Sequence, residues 1–202
     1  MSQEGPRSRG RLAALAALAA ALLAAAPATG AGFVSMQAGA FVPWEGDVGA
    51  SLALQLLGSS ASARARFGGE FEYRRFDSTV IGVQDVGVES YVIHAMWQQH
   101  FAPDAAVTPY LGLGLGMSVN VVDDDKVDRV RGRNTLDSTH AGIDGIFLLG
   151  VQAKLPGAEY MSVYAEGRVG FGYMFIDRED ANSVIGENVG GTSASLGLRF
   201  RF

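Results

Sequence analysis

Ser138 and His140 stand beside Asp137, two residues apart, and on an extended chain residues two apart share a face. A serine hydroxyl, an imidazole and a carboxylate are the parts of a nucleophilic hydrolase, provided the imidazole reaches the hydroxyl and the acid orients it. Adjacency within one stretch does not assemble such a triad, so no catalytic residue is assigned. The other histidines are His94 and His100, and there is no cysteine. Disulfides, thiolate metal centres and cysteine nucleophiles are therefore excluded, and no cofactor or metal is expected. Asp123, Asp124, Asp125 and Asp128 offer carboxylate oxygens of the kind Ca²⁺ takes, but without the spacing or glycine of a calcium loop. Lys126, Arg129, Arg131 and Arg133 are interleaved with them or follow at once. The segment reads as a solvated mixed-charge loop.

A second set of charges is ordered by spacing. Arg64, Arg66, Glu70, Glu72 and Arg74 fall on every second position, as do Glu166 and Arg168, and Arg199 and Arg201. Apolar residues fill the alternate positions, such as Phe67, Phe71 and Tyr73. Period two is the mark of a strand with two unlike faces. It recurs in Phe33–Pro43, Val48–Leu57, Ala63–Phe76, Val86–Phe101, Val107–Val121, Ala141–Leu155, Met161–Phe175 and Gly191–Phe202. Ile146 and Leu148 spoil the polar face of the sixth segment. Eight long strands are expected, with His94 on the polar face. Glycines Gly112, Gly114, Gly116, Gly170 and Gly172 share that face and would leave room for large neighbours. Among the joints, Asp77–Asp85, Val122–His140 and Asp177–Gly190 are the longer ones. The first joint (Trp44–Asp47) and the three between them are short. Short turns at one end and longer loops at the other is the asymmetry of membrane barrels.

The first 31 residues read as an address. Arg7, Arg9 and Arg11 precede an uncharged run of 15 residues, Leu12–Ala26, and small residues follow. A basic start, a short apolar core and a small-residue exit describe a cleaved secretory leader, and the run is shorter than the roughly 20 residues of a spanning helix. Cleavage near Ala31 removes three Arg and one Glu, leaving residues 32–202 as a single domain of formal charge −7. Such an acidic chain is a poor nucleic-acid binder.

The pattern alone does not say which face is inside. A soluble ligand carrier resembling a lipocalin would put the apolar rows inward. A membrane barrel would put them outward, where Arg or Lys facing lipid at midplane costs about 2–4 kcal/mol. Aromatics near strand ends (Trp44, Tyr73, Trp97, Phe101 and Phe175) suit two interfacial girdles. Opposite charges at the observed density can pair across a lumen that eight strands leave just wide enough for side chains. Arg64, Arg66, Glu70, Glu72, Arg74, Glu166, Arg168, Arg199 and Arg201 are the expected members of that network.

The last strand carries the most specific signal. Ala194, Leu196, Leu198, Phe200 and Phe202 alternate up to a terminal Phe. This resembles the C-terminal strand of Gram-negative outer-membrane barrels. With eight strands the chain is similar to the small barrels of the OmpA/OmpX/OmpW kind. The resemblance implies an all-β, antiparallel, up-and-down transmembrane barrel in the outer membrane. It implies chaperoned transit through the periplasm and insertion by the barrel assembly machinery, with Leu198, Phe200 and Phe202 as the signal. It also implies contact with outer-membrane lipid and lipopolysaccharide, and a single copy. A structural or surface-interaction role follows, with a soluble carrier, a lipid A-modifying enzyme or a narrow channel as alternatives. The histidine-before-serine pattern of lipid A deacylases is absent from the late strands.

Overall fold

The computed structural model describes residues 31–131, 138–178 and 183–202. Residues 1–30 of the expected leader, and Arg133 and Asp137, lie outside the described residues. The strands are β1 (Gly32–Pro43), β2 (Gly46–Ser59), β3 (Ala65–Val80), β4 (Val83–His100), β5 (Val107–Val122), β6 (Thr139–Leu155), β7 (Ala158–Arg178), β8 (Ser183–Asn188) and β9 (Gly191–Arg201). A helix, α1 (Asp124–Arg131), lies between β5 and β6. From β1 to β8 each strand pairs antiparallel with its neighbours in sequence, and β9 pairs not with β8 but with both β7 and β1. The sheet thereby closes on itself. Gly32 and Phe202 exchange backbone hydrogen bonds of 3.0 Å across the seam. Closure pairs every strand of the ring on both sides, and β8, beyond it at the loop end, pairs with β7 alone.

Nine strand segments make eight staves. Tyr173 faces Asn188 on β8, and Gly170 faces Gly191 on β9, so both segments keep one register against β7. They form a single strand interrupted at Val189 and Gly190. The ladder carries through the break, where Val189 N–H donates to the Gly172 carbonyl at 2.9 Å, and a Cβ on Gly190 would lie 2.6 Å from the Gly170 carbonyl oxygen. Most of the expected seventh loop is therefore strand.

The third joint also differs from expectation. Asp77–Asp85 is not a medium loop, because β3 and β4 run on to Val80 and Val83 and leave a two-residue turn. Ile81 and Gly82 both have positive φ, 49° and 73°, which is the hairpin turn that matches strand twist. At the opposite end Pro156 and Gly157 (φ 77°) turn β6 into β7, the residues a type II turn favours. The fifth joint holds α1, not only loop. Asp123 caps it, its Oδ1 accepting from Lys126 N at 3.3 Å, and Asp124 and Asp125 stand where a helix N-terminus favours acids. The acidic run is the start of a helix.

Large apolar side chains cover the outside of the ring. Leu115, Leu196 and Met117 are 75%, 71% and 69% exposed. The alternate residues point inward and are buried, including Arg74, Arg199, His94, Glu70 and Gln98. Ile146 and Leu148, which break the polar pattern of β6, also point inward. They fill the space beside Gly114 and Gly112, within 2.8 and 3.0 Å of where a Cβ would stand. The sequence irregularity and the glycines thus answer one another.

Candidate functional site

The interior has three layers. At the loop end, Phe41, Phe76, Val80, Val86, Val88, Val122, Met174, Ile176 and Val189 form an apolar lid, and Val127 of α1 is fully buried in it. Ile81 packs against the lid, and its N–H donates to Glu187 Oε1 at 3.0 Å. The β3–β4 tip is thereby tied to the β7–β8 hairpin.

Below the lid lies an ion network. Arg168 on β7 donates to Glu70 on the opposite wall, Nη2 to Oε2 at 2.5 Å and Nη1 to Oε1 at 2.7 Å. Its Nε donates to Glu166 Oε1 at 2.6 Å, and Nη1 reaches Glu72 at 3.3 Å. Arg74 bridges Glu72 and Asp144, each at 2.8 Å. His94 lies between two acids, with Nδ1 3.2 Å from Glu70 and Nε2 2.7 Å from Asp144. Gln55 and Tyr110 donate to Glu70 and Glu166 at 2.7 and 2.9 Å. β3 and β7 are four staves apart in the ring of eight, so the Arg168–Glu70 pair crosses the whole lumen. Glu70, Glu72 and His94 offer donor atoms within 4.8 Å of one another. The place a metal ion would take among them faces the Arg168 guanidinium, which contacts both acids.

The third layer, at the end carrying both termini, is basic. Arg66 and Arg199 are 5% and 1% exposed, and no carboxylate of the described residues lies within ion-pair distance of either. Both guanidiniums donate to one oxygen, Gln152 Oε1, at 3.1 and 2.9 Å. Arg199 also donates to Ser35 at 2.8 Å and Gln55 at 3.0 Å. Aromatic faces take the place of counter-ions: Phe33 lies 3.9 Å from Arg66, and Tyr164 lies 4.7 Å from Arg199. His100 is buried beside them, stacked on Tyr110 at 4.8 Å.

Of the expected network, Glu70, Glu72, Arg74, Glu166 and Arg168 meet. Arg66 and Arg199 are interior but belong to the separate basic layer. Arg64 and Arg201 are corrections: both are exposed at the mouth. Arg201 is the last residue of β9 and Arg64 precedes the first residue of β3, each two residues and about 6–7 Å beyond Arg199 or Arg66, which carries the side chain past the end of the wall. Alternation fixes the face of a residue but not its depth. His94, Asp144, Gln55 and Tyr110 join the network. His94 stood on the expected polar face; Gln55 and Tyr110 carried no charge to mark them.

The aromatics stand on the outside. Trp44 donates from Nε1 to the Gly170 carbonyl at 3.1 Å, and its ring lies 6.5 Å from Phe171. Tyr73 lies 5.3 Å from Tyr91. Phe175 is exposed at the loop end, and Trp97 and Phe101 face outward near the termini. Leu198, Phe200 and Phe202 line the outside of the closing strand. Thr139 opens β6, so His140 points into the barrel at its loop end and Ser138 precedes the strand.

The fold matches known structures. Neisserial surface protein A superposes with a TM-score of 0.59 at 22% identity, over 86% of this chain and 99% of that one. The fold is that of the small eight-stranded outer-membrane barrels. The Yersinia pestis attachment invasion locus protein Ail (14% identity, TM-score 0.48, 86% and 99% covered) and E. coli outer membrane protein W (15%, 0.47, 87% and 100%) are also similar. No protein-family profile and no curated protein matches the chain.

Proposed function

We propose that this protein is an integral outer-membrane barrel that presents a capped loop end to the cell exterior as an interaction surface. The observation that carries the reading is the inversion of the sheet: apolar rows outside, and guanidinium–carboxylate pairs running wall to wall inside. A soluble carrier needs the reverse, an oily cavity within a charged exterior. A general pore needs an open lumen, and here Arg168 and Arg74 cross it below a lid of valines. The exposed loop-end surface is built on α1 and the β3–β4 and β7–β8 hairpins, with the termini in the periplasm.

In this reading residues 1–31 direct export and are removed. Leu198, Phe200 and Phe202 present the last strand to the assembly machinery, and lipid and lipopolysaccharide surround a single copy. Support comes from the leader-like composition, the outward aromatics and the shared barrel fold. Fractionation of expressing cells tests it, together with gel migration with and without boiling. The protein should sediment with the outer membrane and shift on heating, and an epitope inserted within 132–137 should be reached by antibody on intact cells. Recovery in osmotic-shock fluid, or an epitope reached only after lysis, would overturn it.

A further inference from the structure

The basic layer opens into a cavity of about 310 Å³ at the termini end. Arg66, Arg199, Arg201 and Lys154 line it against two carboxylates, Asp104 and Glu159. Lys154 Nζ donates to the Asp104 carbonyl at 3.0 Å, and none of the four cations has an ion pair among the described residues. The Nε of Arg66 is buried and has no hydrogen-bond partner. Water can satisfy such an N–H but cannot neutralise the charge. Two guanidiniums sharing one amide oxygen are an arrangement whose cost falls when an anion arrives.

The geometry points to a binding site for a phosphate-class oxyanion in this mouth, held by Arg66 and Arg199. The two arginines approach from walls three staves apart. A carboxylate presents one planar edge to one fork, whereas the oxygens of a tetrahedral phosphate or phosphodiester accept from several directions at once. The hydroxyl of Ser59 also lines the cavity and can donate to such a group, whereas that of Ser162 donates to the Arg199 carbonyl at 3.5 Å. The acids Glu70, Glu72, Asp144 and Glu166 are already claimed by Arg168, Arg74 and His94 in the layer above, so they do not compete for the basic pair. The site does not depend on the compartment the mouth faces. Its occupant is either free phosphate or the phosphate of a lipid headgroup.

The test uses the folded full barrel in zwitterionic micelles at constant ionic strength. Inorganic phosphate and glycerophosphoglycerol, an anionic headgroup without acyl chains, are titrated separately, with chloride as the control. Saturable binding of either compound, at least tenfold weaker in Arg66→Gln, is expected. Arg75→Gln, on the exposed face at the loop end, should bind as the parent does. Preference between the two compounds identifies the source. A second measurement needs no variant: the Nε–Hε NMR signals of Arg66 and Arg199 should move on titration with the bound compound, and the loop-end arginines should not. No saturation with either compound, or arginine signals that stay fixed, would overturn the assignment. So would equal binding by a folded Arg66→Gln.

Discussion

Replacing Arg168 by Met should damage the barrel far more than replacing any single acid that Arg168 touches. Met retains much of the buried stem and removes the charge. Four contacts between 2.5 and 3.3 Å disappear, two of them to Glu70 and one each to Glu166 and Glu72. Glu72 keeps Arg74 at 2.8 Å, and Glu70 keeps His94 and Gln55. Among the described residues Glu166 keeps only the Tyr110 hydroxyl and becomes a buried anion without a cation. Breaking a buried ion pair from one side costs about 3–5 kcal/mol, and Arg168→Met should fall in that range. Glu72→Gln should cost about 1 kcal/mol, one hydrogen bond's net worth, because both of its arginines retain other carboxylates. The double variant Arg168→Met, Glu166→Gln should recover part of the loss, since the stranded charge goes with it. Urea unfolding in lipid vesicles, followed by Trp44 and Trp97 fluorescence, measures all three. An Arg168→Met loss no greater than that of Glu72→Gln, or a double variant weaker than the single, would refute the view that this guanidinium compensates the acids around it.

Other consequences follow from the packing. A Cβ at Gly150 would lie 2.3 Å from the Tyr110 ring, so Gly150→Leu should lose about 1–3 kcal/mol by overpacking. Gly167 faces outward with nothing within 4 Å of its Cβ position, so Gly167→Leu should unfold within about 0.5 kcal/mol of the parent. Equal behaviour of the pair would contradict the small-beside-large account of the interior. Val127→Asp should release α1 from the lid, and limited proteolysis should then cut near 132–137 while the ring still shifts on heating. Asp123→Ala should remove the helix cap at about 0.5–2 kcal/mol, read as faster amide exchange over 124–131 with strand exchange unchanged. In a planar bilayer the parent should give no large steady openings, because eight staves leave room for side chains only.

Much of this architecture was legible because period two runs almost unbroken from Gly32 to Phe202. The faces of all eight staves, and the inward glycines, follow from it. The loop end was harder to read. Asp77, Ser78, Thr79 and Asp85 are turn-forming types, yet here Asp77 and Ser78 pair with Gly87 and Val86, Thr79 and Asp85 flank a register shift within the strands, and only Ile81 and Gly82 make the turn. There Val80, Val83, Val86 and Val88 gain burial from one another and from α1. Among the described side chains of the helix, Val127 is the deeply buried one, and a single anchor makes no stripe to detect. The division of the interior charges was hidden for another reason. Arg66 and Glu70 share a face four residues apart, and only the three-dimensional ring shows that one is neutralised locally and the other is not.

Arg199 gives the seam an unusual property. It sits on β9, the stave that closes the ring, yet its donors reach Ser35 on β1, Gln55 on β2 and Gln152 on β6. Before β9 docks, those three acceptors have no shared claimant. Zipping the final ladder and tightening the inside are therefore one event. A half-shut cylinder gains little from the charge it has swallowed, and the finished one is clasped from within by its own last stave.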